Sequence, residues 1–210
     1  MNIAVIGASA GIGLETVKRA LDRNHQVITL SRSKIEGIDN DNVISIYGSA
    51  TNKADLLKAI EKVDTVLVTL GTGTNMQATT LFSDSAKLLV EIQEENKLDI
   101  PFIVVTGFGS GESINYAPQP VREFLETALK DVYADKTKME EIIENSDMNW
   151  IIVRPGALLD GPLTENYQVE NNLYQGIKVD AINRTDVADL LVKQAENPTE
   201  LRKYVSLSVN

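Results

Sequence analysis

Met1-Asn2-Ile3-Ala4-Val5-Ile6-Gly7-Ala8-Ser9-Ala10-Gly11-Ile12-Gly13 runs from an apolar segment through a glycine-rich turn into a helix. No charge interrupts Ile3 to Ile6, which predicts a strand buried on both faces. Leu14, Val17, Ala20 and Leu21 recur at helical spacing directly after the glycines. In that order Gly7 turns the chain tightly, Gly11 lets a pyrophosphate approach the backbone, and Gly13 lets helix and strand pack closely. Free N–H groups at the helix start face the phosphates. The turn Gly7, Ala8, Ser9, Ala10, Gly11, Ile12 and Gly13 is therefore a candidate dinucleotide site, for NAD or NADP.

The chain has 210 residues, 43% hydrophobic and 24% charged, enough to bury a substantial core as one domain. No apolar stretch approaches the roughly 20 residues needed to span a bilayer. The first strand begins at the N-terminus without the features of a secretory signal, so a cytoplasmic protein is expected. Zero cysteines and a single His25 exclude disulfides, thiolate metal sites, cysteine nucleophiles and a histidine zinc cluster; no metal is expected. His25 reads as a surface residue in a connection. The net charge of −10 repels nucleic acid and anionic membranes, so neither is an expected partner.

Further apolar runs, Gln26–Leu30, Asn42–Tyr47, Asp64–Thr69, Pro101–Thr106 and Asn149–Val153, alternate with helical patterns. The pattern predicts an α/β, Rossmann-type, doubly wound and mostly parallel sheet with helices on both faces. Its strand ends lie along one edge, bringing Ser49, Ala50, Leu70 and Gly71 to the same groove as the first turn. Arg32 closes the second strand where an acidic residue would select NAD; a basic one there accommodates the extra phosphate of NADP. NADP(H) is thus expected over NAD(H). Glycine turns also follow the fourth and fifth strands, Gly71 to Gly73 and Gly107 to Gly111, and close approach of a ligand explains them. Val121 to Asn145 reads as helical with a break near Asp131 to Asp135. Residues 157–182 read as a small substrate or lid region without periodicity. Arg154, ahead of Pro155, reads either as a functional side chain or as an anchor holding the loop through a carboxylate.

The chain resembles the short-chain dehydrogenase/reductase superfamily. More narrowly it is similar to the atypical branch of small NAD(P)H-binding proteins, the NmrA-like and flavin reductase/biliverdin reductase types. The resemblance covers nearly all residues and rests on GASAGIG, Ser31-Arg32, Lys136 with Glu140, Trp150 to Gly156 (WIIVRPG) and Asn183 to Ala188 (NRTDVA). The main branch places a Tyr four residues before a Lys, whose ammonium lowers the phenol's pKa. Four residues before Lys136 stands Val132, and Tyr133 is one residue off, a rotation of about 100° on a helix.

The resemblance implies an NADP(H)-binding oxidoreductase that passes hydride to a flavin, quinone or similar small planar substrate without a Tyr-Lys catalytic pair, as a monomer or weak dimer. Gly71 and Thr106 are assigned to the cofactor's middle, Lys136 to the nicotinamide ribose, and Ser110 and Tyr116 to the acceptor pocket. The alternatives are a redox sensor that binds NADP(H) and turns nothing over, and an epimerase or dehydratase of the extended branch, against which the short C-terminal half argues. Lys136 has a plainer reading too, a surface lysine paired with Glu140 at i to i+4.

Overall fold

The computed structural model describes residues 1–209. Strand β1 (Asn2–Ile6) alternates its side chains across the sheet, as the period of two requires. Ala4 and Ile6 enter one core, Ile3 and Val5 the other, and none of the four has exposed surface. Helix α1 (Gly11–Asp22) packs on the Ile3 and Val5 side with Ile12, Val17 and Ala20. Then come β2 (Gln26–Ser31), β3 (Val43–Tyr47), α2 (Lys53–Ile60), β4 (Thr65–Val68), α3 (Leu81–Asn96) and β5 (Pro101–Val105). A short 3-10 turn, Gly111–Tyr116, precedes α4 (Gln119–Thr127), α5 (Lys130–Glu144) and β6 (Asn149–Pro155). The chain closes with β7 (Leu158–Leu159), β8 (Tyr167–Glu170), β9 (Ile182–Asn183), α6 (Arg184–Glu196) and β10 (Lys203–Val209).

The main sheet has the order β3-β2-β1-β4-β5-β6-β10-β8, parallel throughout except for β8 against β10. Helices cover both faces: α1 and α6 on one, α2, α3 and α5 on the other. This is the Rossmann-type arrangement expected from the sequence. Strand order reverses between β1 and β4, and a crevice opens at that switch point beyond the strands' carboxyl ends.

Three local readings differ. The helical stretch breaks at Ala128 and Leu129, earlier than Asp131, and Asp135 sits inside α5 with its carboxylate accepting the Phe82 and Ser83 N–H groups of α3. A carboxylate at that N-terminus satisfies donors that the Thr80 side chain leaves open. Within residues 157–182, β8 joins the main sheet, pairing Tyr167 with Val209 and Val169 with Leu207. The signal was a short alternation, Tyr167 and Val169 around Gln168. His25 is nearly buried at 9% exposure, its Nε2 lying 2.7 Å from Glu196 Oε1. Hydrogen bonds from Arg23, then His25, hold the Glu196 carboxyl down to about 2.

Candidate cofactor cleft

The glycine turn is shaped by contacts that a side chain would forbid. Gly7 lies at φ +93°, and a Cβ there would meet the Thr69 carbonyl oxygen at 2.9 Å. At Gly13 a Cβ would stand 2.1 Å from the Gly7 carbonyl oxygen, so α1 rests directly on the turn. Gly11 opens α1 at φ +55°. The preceding Ala10 offers no side-chain oxygen to the first turn of α1, so those N–H groups face the crevice without a side-chain cap. A helix start of this kind, at a switch point, favours anions.

The crevice is a cleft of about 760 Å³ lined by the loops after β1 to β5 and by α5 and α6. Twelve of the sequence-selected residues line it: Gly7, Ser9, Ala10, Gly11 and Ile12 from the first turn, Arg32, Ser49 and Ala50 from the next two strand ends, and Leu70, Gly71, Thr106 and Lys136. Ala8 and Gly13 are buried behind it and shape it through packing. Arg32 is exposed, and among the described residues it has no ionic or hydrogen-bonding partner. Among the described residues, the charged ones lining the cleft are Arg32, Lys136 and Arg184, with no Asp or Glu. In a chain of net charge −10, that segregation gives an anion-attracting groove.

Lys136 points into this cleft and not to the surface. Its Nζ donates to the Thr106 carbonyl at 2.7 Å and lies 4.8 Å from the Tyr133 ring centre and 5.4 Å from that of Phe82. Burial pulls its pKa down to about 8, against the pull of the Glu140 carboxylate. Glu140 is turned away from Lys136: it accepts from Thr106 Oγ1 at 2.6 Å and from Arg154 Nε at 3.0 Å and Nη2 at 2.7 Å. Arg154, with no exposed surface, also reaches Glu112 at 2.9 and 3.1 Å. Arg154 is therefore the anchor, and it ties the turn after β5 to α5. Burial opposes its charge, but hydrogen bonds to Glu140 and Glu112 outweigh that and raise its pKa.

Tyr133 is a correction to the sequence reading. It lines the cleft beside Lys136 because residues at i and i+3 stand only about 60° apart on a helix. Burial, then the Glu140 carboxylate, pushes its phenol up to about 12. The third glycine turn is a second correction. A Cβ at Gly107 would meet Tyr133 Oη at 2.8 Å, at Gly109 Leu125 Cδ1 at 2.2 Å, and at Gly111 Arg154 Nη2 and Glu140 Oε2 at 2.8 Å each. Those glycines make room for the protein's own side chains and not for a ligand. Ser110 and Tyr116 are not brought to the cleft. Ser110 is fully buried with no partner for Oγ among the described residues, and Tyr116 lines a separate hollow with Glu112, Glu170 and Tyr204. Phe82, Tyr133 and Arg184 are cleft residues that sequence reasoning did not select. Arg184 stood inside the NRTDVA motif, but only the packing of α6 beside α1 brings it to the glycine turn.

Comparison with known proteins agrees with this geometry. A family described as NAD(P)H-binding matches residues 7–198. The chain is 26% identical over 205 residues to a Bacillus subtilis protein called "Uncharacterized sugar epimerase YhfK", covering 94% of this chain and 91% of that one. The structure of ChuY, described as an anaerobillin reductase from Escherichia coli O157:H7, superposes with a TM-score of 0.78 at 22% identity, over 100% of this chain and 97% of the other. A short-chain dehydrogenase/reductase from Veillonella parvula in complex with NADP gives 0.80 at 16% identity, over 99% and 94%. With the family match spanning nearly the whole chain, and the glycine turn and switch-point cleft within it, this protein belongs to the NAD(P)H-binding family.

Proposed function

We propose that the cleft holds NADP(H) and that the protein passes hydride to a flavin, a quinone or a similar planar acceptor. One observation carries the reading: in an acidic chain, the described residues that line the cleft include Arg32, Lys136 and Arg184 and no Asp or Glu. The glycine turn and the start of α1 receive the pyrophosphate, and Arg32, free at the end of β2, takes the 2′-phosphate. Lys136 serves the nicotinamide ribose from its hydrogen bond on Thr106. Bound NADPH supplies the hydride. A planar acceptor takes its proton from water, so the chain's own residues bind, orient and exclude solvent. Tyr133 keeps its proton and can donate a hydrogen bond at the same wall. An NADP complex and an anaerobillin reductase among the structural neighbours support the cofactor and the acceptor class.

The displacement of Ser110 and Tyr116 from the cleft favours a second reading, a sensor that binds NADP(H) without turnover. NADPH oxidation followed with FMN, riboflavin and small quinones separates the two. Reduction of at least one acceptor is expected. Tight NADPH binding with no acceptor reduced would leave the sensor.

A further inference from the structure

Arg184 is the first residue of α6, which packs beside α1 in the same core cluster. Its Nε lies 3.7 Å from where a Cβ on Gly11 would stand, and its Cδ 3.9 Å, so the side chain overhangs the residue that opens α1. Among the described residues the guanidinium has one ionic partner, Asp160, at 2.7 Å. The Asp160 side chain is 93% exposed, whereas Arg184 is 28% exposed and lines the cleft. Other charges on α6 are committed to the fold. Asp186 accepts the N–H groups of Thr164 and Glu165 and the Thr164 hydroxyl, and Asp189 pairs with Arg19 and Lys193. A solvated ion pair such as Arg184–Asp160 contributes little to stability, so its exchange for another anion costs little.

We infer that Arg184 is a clamp on the cofactor's pyrophosphate and that Asp160 is the anion it releases when the cofactor enters. The inference rests on the proposed cofactor reading and adds a residue to it. A forked guanidinium above a helix start suits a phosphate better than an ammonium would, and it is aimed at the part common to NADPH and NADH. Arg184 thus contributes affinity without selecting between the two, a task left to Arg32. Asp160 competes for the same guanidinium and keeps affinity below its maximum.

The test is calorimetric titration of the whole protein with NADPH, NADH and adenosine 2′-monophosphate, which has the 2′-phosphate but no pyrophosphate. Arg184→Gln is expected to weaken NADPH and NADH alike, by about 10- to 100-fold, and to leave adenosine 2′-monophosphate unchanged. Asp160→Asn, on the exposed side of the pair, is expected to tighten both dinucleotides by about 2- to 5-fold. Unchanged dinucleotide affinity in Arg184→Gln overturns the clamp, as does an Asp160→Asn variant weakened as much as Arg184→Gln, which would make the pair structural. Failure of the underlying reading looks different: the unaltered protein would bind neither NADPH nor NADH.

Discussion

Arg154→Ala is expected to destabilise the protein by about 3–5 kcal/mol, because it strands the Glu140 carboxylate in a site with no access to water. Arg154 is fully buried and Glu140 is 2% exposed; of the three charges in the cluster, only Glu112 reaches solvent, its side chain 55% exposed. Thr106 Oγ1 would remain as a neutral donor to Glu140, which does not replace a guanidinium bonded through two nitrogens. The Arg154 guanidinium also lies 3.9 Å from the Tyr204 ring centre, so its removal opens space against β10. Urea unfolding of the two proteins measures the difference. In Arg154→Met combined with Glu140→Leu, where no buried charge is left unpaired, most of the loss is expected to be recovered. A loss below about 1 kcal/mol for Arg154→Ala would mean that water reaches Glu140 and that the cluster does not pin the turn after β5.

Gly13→Ala is expected to abolish measurable cofactor binding. The added methyl would stand 2.1 Å from the Gly7 carbonyl oxygen and 2.7 Å from Thr69 Oγ1, and the nearest of these is backbone. No rotamer change relieves that contact, so α1 must lift from β1. The lift would cost about 1–3 kcal/mol of packing, and it would move the N–H groups that face the cleft. The comparison is Gly71→Ala in the same cleft, where an added Cβ meets nothing within 4 Å and the backbone φ is ordinary. That variant is expected to keep the unaltered protein's stability to within about 0.5 kcal/mol in urea unfolding, so any loss of binding there comes from contact with the ligand and not from a displaced helix. Equal affinities for Gly13→Ala and the unaltered protein would remove the turn from the site.

Local pattern sufficed for the parallel strands at the centre of the sheet, which are apolar on both faces, but not for the edge strand β8, whose alternation is only three residues long. The reversal between β1 and β4 then follows from the order of alternating strands and helices, and it places most cleft residues at strand ends. What local pattern could not settle depends on which distant segment fills a space. Gly109 and Gly111 look like ligand glycines in sequence, but Leu125 and the Arg154–Glu140 pair occupy the room they leave. Lys136 and Glu140 stand at ion-pair spacing, yet Arg154, arriving from β6, takes the carboxylate and leaves the lysine to the cleft. Tyr133 needed only the helix's own angle, since i+3 shares a face as i+4 does. Arg184 is about 170 residues from the turn it overhangs, and no spacing rule connects them.

Parallel titration of NADPH and NADH into the unaltered protein and Arg32→Ala tests the assignment of the cleft most directly. NADPH is expected to bind the unaltered protein more tightly than NADH does, and Arg32→Ala to weaken NADPH by about 1–3 kcal/mol while NADH changes little. An equal loss for both cofactors, or no loss for either, would contradict that assignment.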